Sequence, residues 1–179
     1  MNLKRCSWAQ GNELTEYHDK EWGVPVHDDR KLFEFLMLEG AQAGLTWLTV
    51  LQKRENYRKA FDEFDANKIA KYDDAKIKKL LSNKGIIRNK LKIAATIKNA
   101  KTFLEIQKEF GSFDKYIWQF ANHRQKKNSW KGLKQLPSKT KESDEMGKDL
   151  KKRGFNFVGS TICYAFMQAV GMVNDHTTS

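Results

Sequence analysis

An apolar, aromatic segment with a carboxylate near its middle limits what this chain can fold into more than any other stretch. Phe33, Phe35, Leu36, Met37 and Leu38 precede Glu39, and Trp47, Leu48, Val50 and Leu51 follow it. A carboxylate carried into such surroundings must find partners or take up a proton. Gly40 and Gly44 lie between Glu39 and Trp47 and let the backbone turn sharply or come close to a ligand. A small polar pocket with a stacking wall fits this pattern. An ordinary corner between two helices, with Glu39 solvated and Trp47 in the core, fits the stretch equally well, so the rest of the chain has to decide.

The surrounding sequence reads as helices punctuated by caps. A short helix over 13–20 carries Tyr17, His18 and Asp19 to a stop at Trp22-Gly23-Val24-Pro25. Asp28 and Asp29 offer an N-cap for a helix whose apolar residues Leu32, Phe33, Leu36 and Met37 recur at helical spacing up to Glu39. Thr46 caps the next helix, and Asp65 and Asp73 cap two short ones over 66–72 and 74–81. A long helix over about 89–108 follows the turn Ser82-Asn83-Lys84-Gly85-Ile86-Ile87. Gly111 stops it, Ser112 caps 113–120, Ser143 caps a charged helix to Arg153, and Ser160 starts a final apolar helix over 161–170. Residues 122–138 read as a long surface loop, and 155–158 as the one short extended piece. The class is all-α, in a single domain over 1–179 with two helical lobes; 179 residues suffice to bury a real core.

The net charge of +11 is unevenly spread. Residues 75–104 contain no Asp or Glu but carry Lys76, Lys78, Lys79, Lys84, Arg88, Lys90, Lys92, Lys98 and Lys101, and residues 115–141 are likewise acid-free, whereas the N-terminal part is acidic. Such segregation points to a polyanion, most often nucleic acid. The helices on either side of the Gly85 turn, over about 74–101, describe a helix-hairpin-helix whose exposed N–H groups and helix N-terminus bind a phosphate without reading sequence. The N-terminus lacks an apolar signal core and no run of about 18 apolar residues occurs, so a soluble cytoplasmic protein with no membrane partner is expected. Two cysteines far apart, Cys6 and Cys163, argue against a disulfide framework; Cys163, on an apolar helix, reads as a buried small hydrophobe.

Several collinear blocks resemble one family: Cys6 with Trp8, the run from Tyr17 to Pro25, Leu38-Glu39-Gly40 through Gly44-Leu45-Thr46-Trp47, Gly85-Ile86-Ile87-Arg88, and Asn174-Asp175-His176. Together they resemble the DNA-3-methyladenine glycosylase I family of helix-hairpin-helix glycosylases, over nearly the whole chain. The resemblance implies hydrolysis of the bond between an alkylated purine and its deoxyribose in double-stranded DNA, leaving an abasic site. It implies that Glu39 and Tyr17 hydrogen-bond the methylated base, that Trp47 stacks on it with Trp8 and Trp22 nearby, and that Gly44 and Leu45 plug the duplex. Lys84, Gly85, Arg88 and Lys90 would meet the backbone of the DNA. The family lacks the catalytic Asp common among its fold relatives, and no lysine stands out as a Schiff-base nucleophile, so hydrolysis without strand cleavage by a monomer is expected.

The resemblance also implies a structural zinc ion joining the two termini through Cys6, His18 and His176. The family's fourth ligand is a Cys shortly after His176, at what would be position 180, one residue beyond Ser179. A zinc hydrolase is a poor alternative, because no His-Glu-x-x-His or similar cluster occurs. A noncatalytic DNA-binding module built on the same hairpin would not need Glu39, Tyr17 and Trp47 together. His27 and His123 have no partners in sequence and read as surface residues.

Overall fold

In the computed structural model, which describes residues 4–178, helix starts coincide with short polar side chains that accept a backbone N–H of the first turn. After α1 (Asn12–Lys20), Asp28 does this for α2 (Asp29–Ala41) and Thr46 for α3 (Trp47–Ala60). Asp65 serves α4 (Ala66–Ile69), Asp73 serves α5 (Asp74–Leu81), Asn89 serves α6 (Lys90–Phe110) and Ser112 serves α7 (Phe113–Trp118). Gly111, at φ 87°, ends α6 in the left-handed region that favours glycine.

Three expectations need correction. The charged helix α8 (Lys141–Arg153) begins a turn earlier than expected, and Thr140, not Ser143, is its cap. Ser143 sits one turn in, accepting the Thr140 N–H at 2.8 Å while its own N–H is accepted by the Thr140 hydroxyl, a reciprocal pair that closes the helix start. The piece over 155–158 forms no strand: Phe157 takes φ 58°, which breaks any extended run before α9 (Ser160–Ala169). Instead, the region read as a loop pairs β1 (Lys126–Lys127) in parallel with β2 (Val173–Asn174) near the C-terminus. Two residues per strand, far apart in sequence, leave no periodic signal.

The most deeply placed element is α2. All its residues from Leu32 to Ala41 are buried, and it packs on α3, α6, α7 and α9. Its polar residues therefore need partners. Asp29 accepts from the backbone N–H groups of Phe113 (2.9 Å) and Asp114 (2.8 Å) and from Gln107 Nε2 (2.8 Å), so it caps α7 from across the fold. Glu34 accepts from Arg58 Nε at 2.6 Å. Among the described residues Glu39 has no such partner.

The C-terminal segment is tied down by Asp175, 1% exposed, which accepts from Asn128 Nδ2 (2.6 Å), Trp130 Nε1 (2.8 Å), Gln168 Nε2 (3.0 Å) and the Tyr164 hydroxyl. Gly171 makes the turn into this segment at φ 77° while pressed against the Val24-Pro25 backbone. Among the described residues no helix is long and apolar enough to cross a membrane.

A Cβ at position 171 would stand 2.3 Å from Pro25 N and 2.4 Å from Val24 C, both backbone atoms that cannot swing aside. Gly171→Ala is therefore expected to destabilise the fold by roughly 3 kcal/mol or more, from a clash added to left-handed strain. Denaturant melts of the two proteins measure it, and a loss under 1 kcal/mol would contradict this packing.

Candidate active site

Helix α1 supplies two consecutive side chains that diverge, since neighbours on an α-helix point roughly 100° apart. Tyr17 lines a cavity of about 400 Å³, while His18 turns toward the junction of the N- and C-terminal segments. Trp8 and Trp22 complete one side of the cavity, the corner between α2 and α3 brings Glu39, Gln42, Thr46 and Trp47, and Gln168 on α9 and Leu136 close it. A bidentate pair from Arg54 on α3 to Glu21, at 2.7 and 2.8 Å, holds the Tyr17–Trp22 segment against the helix that starts with Trp47.

The walls are aromatic, and three of the polar groups around them have no partner among the described residues. Trp47 and Tyr17 rings lie 5.5 Å apart at 47°, and Trp8 packs edge-on against Trp22 at 5.1 Å. Among the described residues no protein group hydrogen-bonds the Glu39 carboxylate or the Tyr17 hydroxyl, and the buried Trp47 Nε1–H has no acceptor. Native interiors satisfy nearly all such groups, so an acid and a phenol without partners on one cavity, beside an indole N–H with no acceptor, mark a place prepared for a ligand. Burial pushes the Glu39 carboxyl up to about 8. Burial, then the nearby Glu39 and Glu21 charges, push the Tyr17 phenol well above its ordinary value. At neutral pH the free site thus holds a protonated Glu39, and a cationic ligand would favour its ionised form. Glu39 is 4% exposed, which removes the solvated-corner reading.

The two glycines beside Glu39 divide the roles expected of them. Gly40 is an ordinary helical residue whose missing Cβ makes room for Phe157 of the protein itself, with Phe157 Cβ only 3.3 Å from where a Cβ would be. Gly44 takes φ 80° in open surroundings and turns the chain so that Leu45, 41% exposed, projects from the surface beside the cavity.

On the α5–α6 turn, Asn83 Oδ1 accepts the Gly85 N–H at 2.8 Å, and the Tyr57 hydroxyl accepts the Ile87 N–H at 3.2 Å, anchoring the turn to α3. Lys84, Arg88 and Lys90 are exposed around it with no carboxylate partner among the described residues. Lys92, counted with them in sequence, is different: its ammonium donates to the carbonyls of Ala41 (2.9 Å) and Ala43 (2.7 Å).

Cys6, His18 and His176 are brought together. The Cys6 N–H donates to His18 Nε2 at 3.2 Å, the two imidazoles lie 4.6 Å apart, and the Thr177 hydroxyl points at Cys6 Sγ. His18 Nδ1 faces Asp19 at 2.9 Å and His176 Nδ1 faces Asn174 Oδ1 at 2.7 Å. The Cys6 N–H at Nε2 and Asp19 at Nδ1 fix His18 with its proton on Nδ1 and a bare Nε2, the tautomer a metal ligand needs. Among the described residues, however, no group of three or more His, Cys, Asp or Glu is arranged to hold a metal ion. His18 Nε2 accepts the Cys6 amide instead, and the His176 ring sits between two acceptors, Asn174 Oδ1 at Nδ1 and the His18 carbonyl 3.4 Å from Nε2. His27 is exposed as expected but does have a partner, Asp114, at 2.8 Å, and Cys163 is fully buried with its thiol on the Val158 carbonyl.

Sequence reading missed Gln168, whose NH₂ is held by Asp175 so that its oxygen stays free at the cavity wall. It also missed Leu136, inside a stretch read as loop. Neither carries a local signal, since both reach the cavity through long-range packing.

Glu39 also sets a pH dependence. A carboxyl held at about 8 in the folded protein, against 4.5 ordinarily, keeps a proton that the unfolded chain loses. Stability therefore falls as pH rises from 4.5 to 8, at about 1.4 kcal/mol per pH unit, a decline on the order of 4–5 kcal/mol. Glu39→Gln removes this component. Melts of both proteins from pH 5 to 9 should show the variant gaining on the parent with pH, and parallel curves would mean that Glu39 is ionised in the free site.

The family model for methyladenine glycosylase matches residues 8–179. The DNA-3-methyladenine glycosylase 1 of Escherichia coli (strain K12) is 48% identical over 175 residues, covering 97% of this chain and 94% of that relative. A crystal structure of 3-methyladenine DNA glycosylase I matches with a TM-score of 0.96 at 48% identity, covering 98% of this chain and 97% of the other. A tyrosine-to-phenylalanine variant of such an enzyme, in complex with 3-methyladenine, matches with a TM-score of 0.95 at 30% identity over 99% of this chain and 96% of the other. With the family model spanning nearly all of its residues, the chain belongs to the methyladenine glycosylase family.

Proposed function

We infer that this protein excises 3-methyladenine from DNA by hydrolysing its N-glycosidic bond. One observation carries the reading: an unpaired, buried carboxylate, Glu39, faces an aromatic cavity beside Tyr17 and Trp47 in a chain of the methyladenine glycosylase family. A phosphate-binding hairpin alone would need no such cavity.

The chemistry follows from the substrate. Methylation at N3 puts positive charge on the purine. When the bond from C1′ to N9 breaks, its electron pair goes to the base and neutralises that charge, while water supplies the oxygen that C1′ acquires. Departure thus needs little help from a strong acid or nucleophile. The protein's work is extrusion and recognition. Unstacking costs a few kcal/mol. Stacking on Trp47, with Trp8 and Trp22 close by, offsets roughly 1–3 kcal/mol, and a cationic ring against indole adds about 0.5–2 kcal/mol. Glu39 and Tyr17 hydrogen-bond the base, and the ionised carboxylate prefers the cationic purine to neutral adenine. Leu45, presented by Gly44, fills the gap left in the duplex. Cavity, plug and hairpin come from one chain, so a monomer suffices.

The α5–α6 turn acts in this reading as a helix-hairpin-helix, with the Gly85 region, Lys84, Arg88 and Lys90 gripping phosphates without reading sequence. A structural zinc ion is the second part of the proposal. Cys6, His18 and His176 would hold it, and a thiolate with two neutral imidazoles suits zinc. Bound zinc would brace the segment that bears Tyr17 from the side away from the cavity and would take no part in the reaction.

Methylated duplex DNA incubated with the protein should release free 3-methyladenine with an equal yield of abasic sites and no strand breaks. Glu39→Gln should fold and lose single-turnover excision by roughly 100-fold or more, since a preorganised charged group is removed. Excision at the parent rate would remove Glu39 from the assignment. For the zinc, protein purified without chelator should contain detectable metal, and chelation should lower its melting temperature; no zinc and no chelator effect would leave Cys6, His18 and His176 as ordinary packing residues.

A further inference from the structure

The acid-free stretch 75–104 presents its basic side chains as one set, but Lys92 leaves that set in three dimensions. Its side chain is half-buried, and its ammonium bridges two carbonyls, Ala41 at 2.9 Å and Ala43 at 2.7 Å. Ala41 is the last residue of α2, two residues past Glu39, and Ala43 immediately precedes the Gly44-Leu45 tip. The last carbonyls of a helix have no partner within it, and a cation there satisfies them and complements the negative end of the helix dipole. Lys92 itself lies in the first turn of α6, directly after the basic hairpin and next to the Asn89 cap that accepts its own N–H. One ammonium thus fastens the hairpin helix both to the end of α2, which carries the recognition carboxylate, and to the turn that carries the plug.

That turn has few other ties. Its hydrogen bonds are local, Gln42 N–H to the Leu38 and Glu39 carbonyls, Ala43 N–H to Gly40 and Leu45 N–H to Gln42, and none of these connects it to α6. Desolvation at this position lowers the Lys92 ammonium from its ordinary value without a carboxylate nearby to offset it, so the carbonyls are its partners.

We propose that Lys92 is a positioning residue that transmits the docking of the hairpin on DNA to the Glu39–Leu45 segment, holding the plug and the recognition carboxylate in register with the grip on the phosphates. It is not a phosphate ligand, although its place in the sequence suggests one. The proposal rests on the glycosylase reading, and the parent protein's own excision in the same assay separates a failure of that reading from a failure of this one.

The test compares Lys92→Met, which keeps the stem and removes the donors, with Lys92→Arg, which restores charge and donors. Two quantities are read for each: the single-turnover excision rate at saturating enzyme, and the slope of log affinity for undamaged duplex against log salt. Each phosphate contact contributes about 0.9 to that slope. Lys92→Met should slow saturated excision by roughly 10- to 100-fold, the scale of a misplacement near 1 Å, with the salt slope unchanged. Lys92→Arg should recover part of the rate. A slope shallower by about 0.9 with parent-like saturated excision would make Lys92 a phosphate ligand and overturn the proposal. So would parent values of both quantities. If Lys92→Met melts below the assay temperature, Lys92→Gln takes its place and is read by the same two outcomes.

Discussion

The site depends on one carboxylate that the fold buries almost completely at a cavity wall and leaves, among the described residues, without a hydrogen-bond partner. Glu39 stands on the most buried helix of the fold, near its end, where every neighbour from Leu32 to Ala41 is inside. Its companion Glu34, one turn and a half earlier, is satisfied by Arg58. The contrast between the two is the chemical content of the helix. A paired carboxylate holds structure together, whereas an unpaired one raised to about 8 stores free energy that a cationic ligand can release. For this to work the surrounding scaffold must be stable enough to bear the cost.

Much of the rest of the molecule braces that arrangement. Arg54 clamps Glu21 and so fixes Tyr17 opposite Glu39. Asp175 gathers donors from the long loop and from α9, among them Gln168 of the cavity wall. A chain of close aromatic contacts runs from Trp47 through Tyr17, Trp8 and Trp22 to the two imidazoles near the termini. The cavity is therefore built from residues spread over most of the chain.

Lys92 illustrates how charge in a sequence misleads when it is read as surface. It lies among lysines and arginines that are mostly exposed, and only the fold turns it inward to the carbonyls at the end of α2. Asp29 teaches the same lesson from the acidic side. In sequence it shares a capping role with Asp28, but its carboxylate reaches over 80 residues ahead to cap α7.

The sequence alone determined what depends on neighbours along the chain. Caps at Asp28, Thr46, Asp65, Asp73 and Ser112 set helix starts because each bonds a backbone N–H two or three residues away, a contact any local chain can make. The oddity of Glu39 was likewise legible, as a charge among apolar neighbours, and the family blocks pointed to Tyr17 and Trp47 with it. Only the tertiary structure decided that Glu39 is unpaired, that Gly40 serves packing while Gly44 serves the turn, and that Gln168 and Leu136 reach the cavity. The β1–β2 pairing, the tether of Lys92 and the gathering of Cys6, His18 and His176 were decided there as well. These features are contacts between residues tens of positions apart. A burial or a hydrogen bond of that kind is settled by which surfaces meet in the packed core, and no periodicity or cap along the chain encodes it.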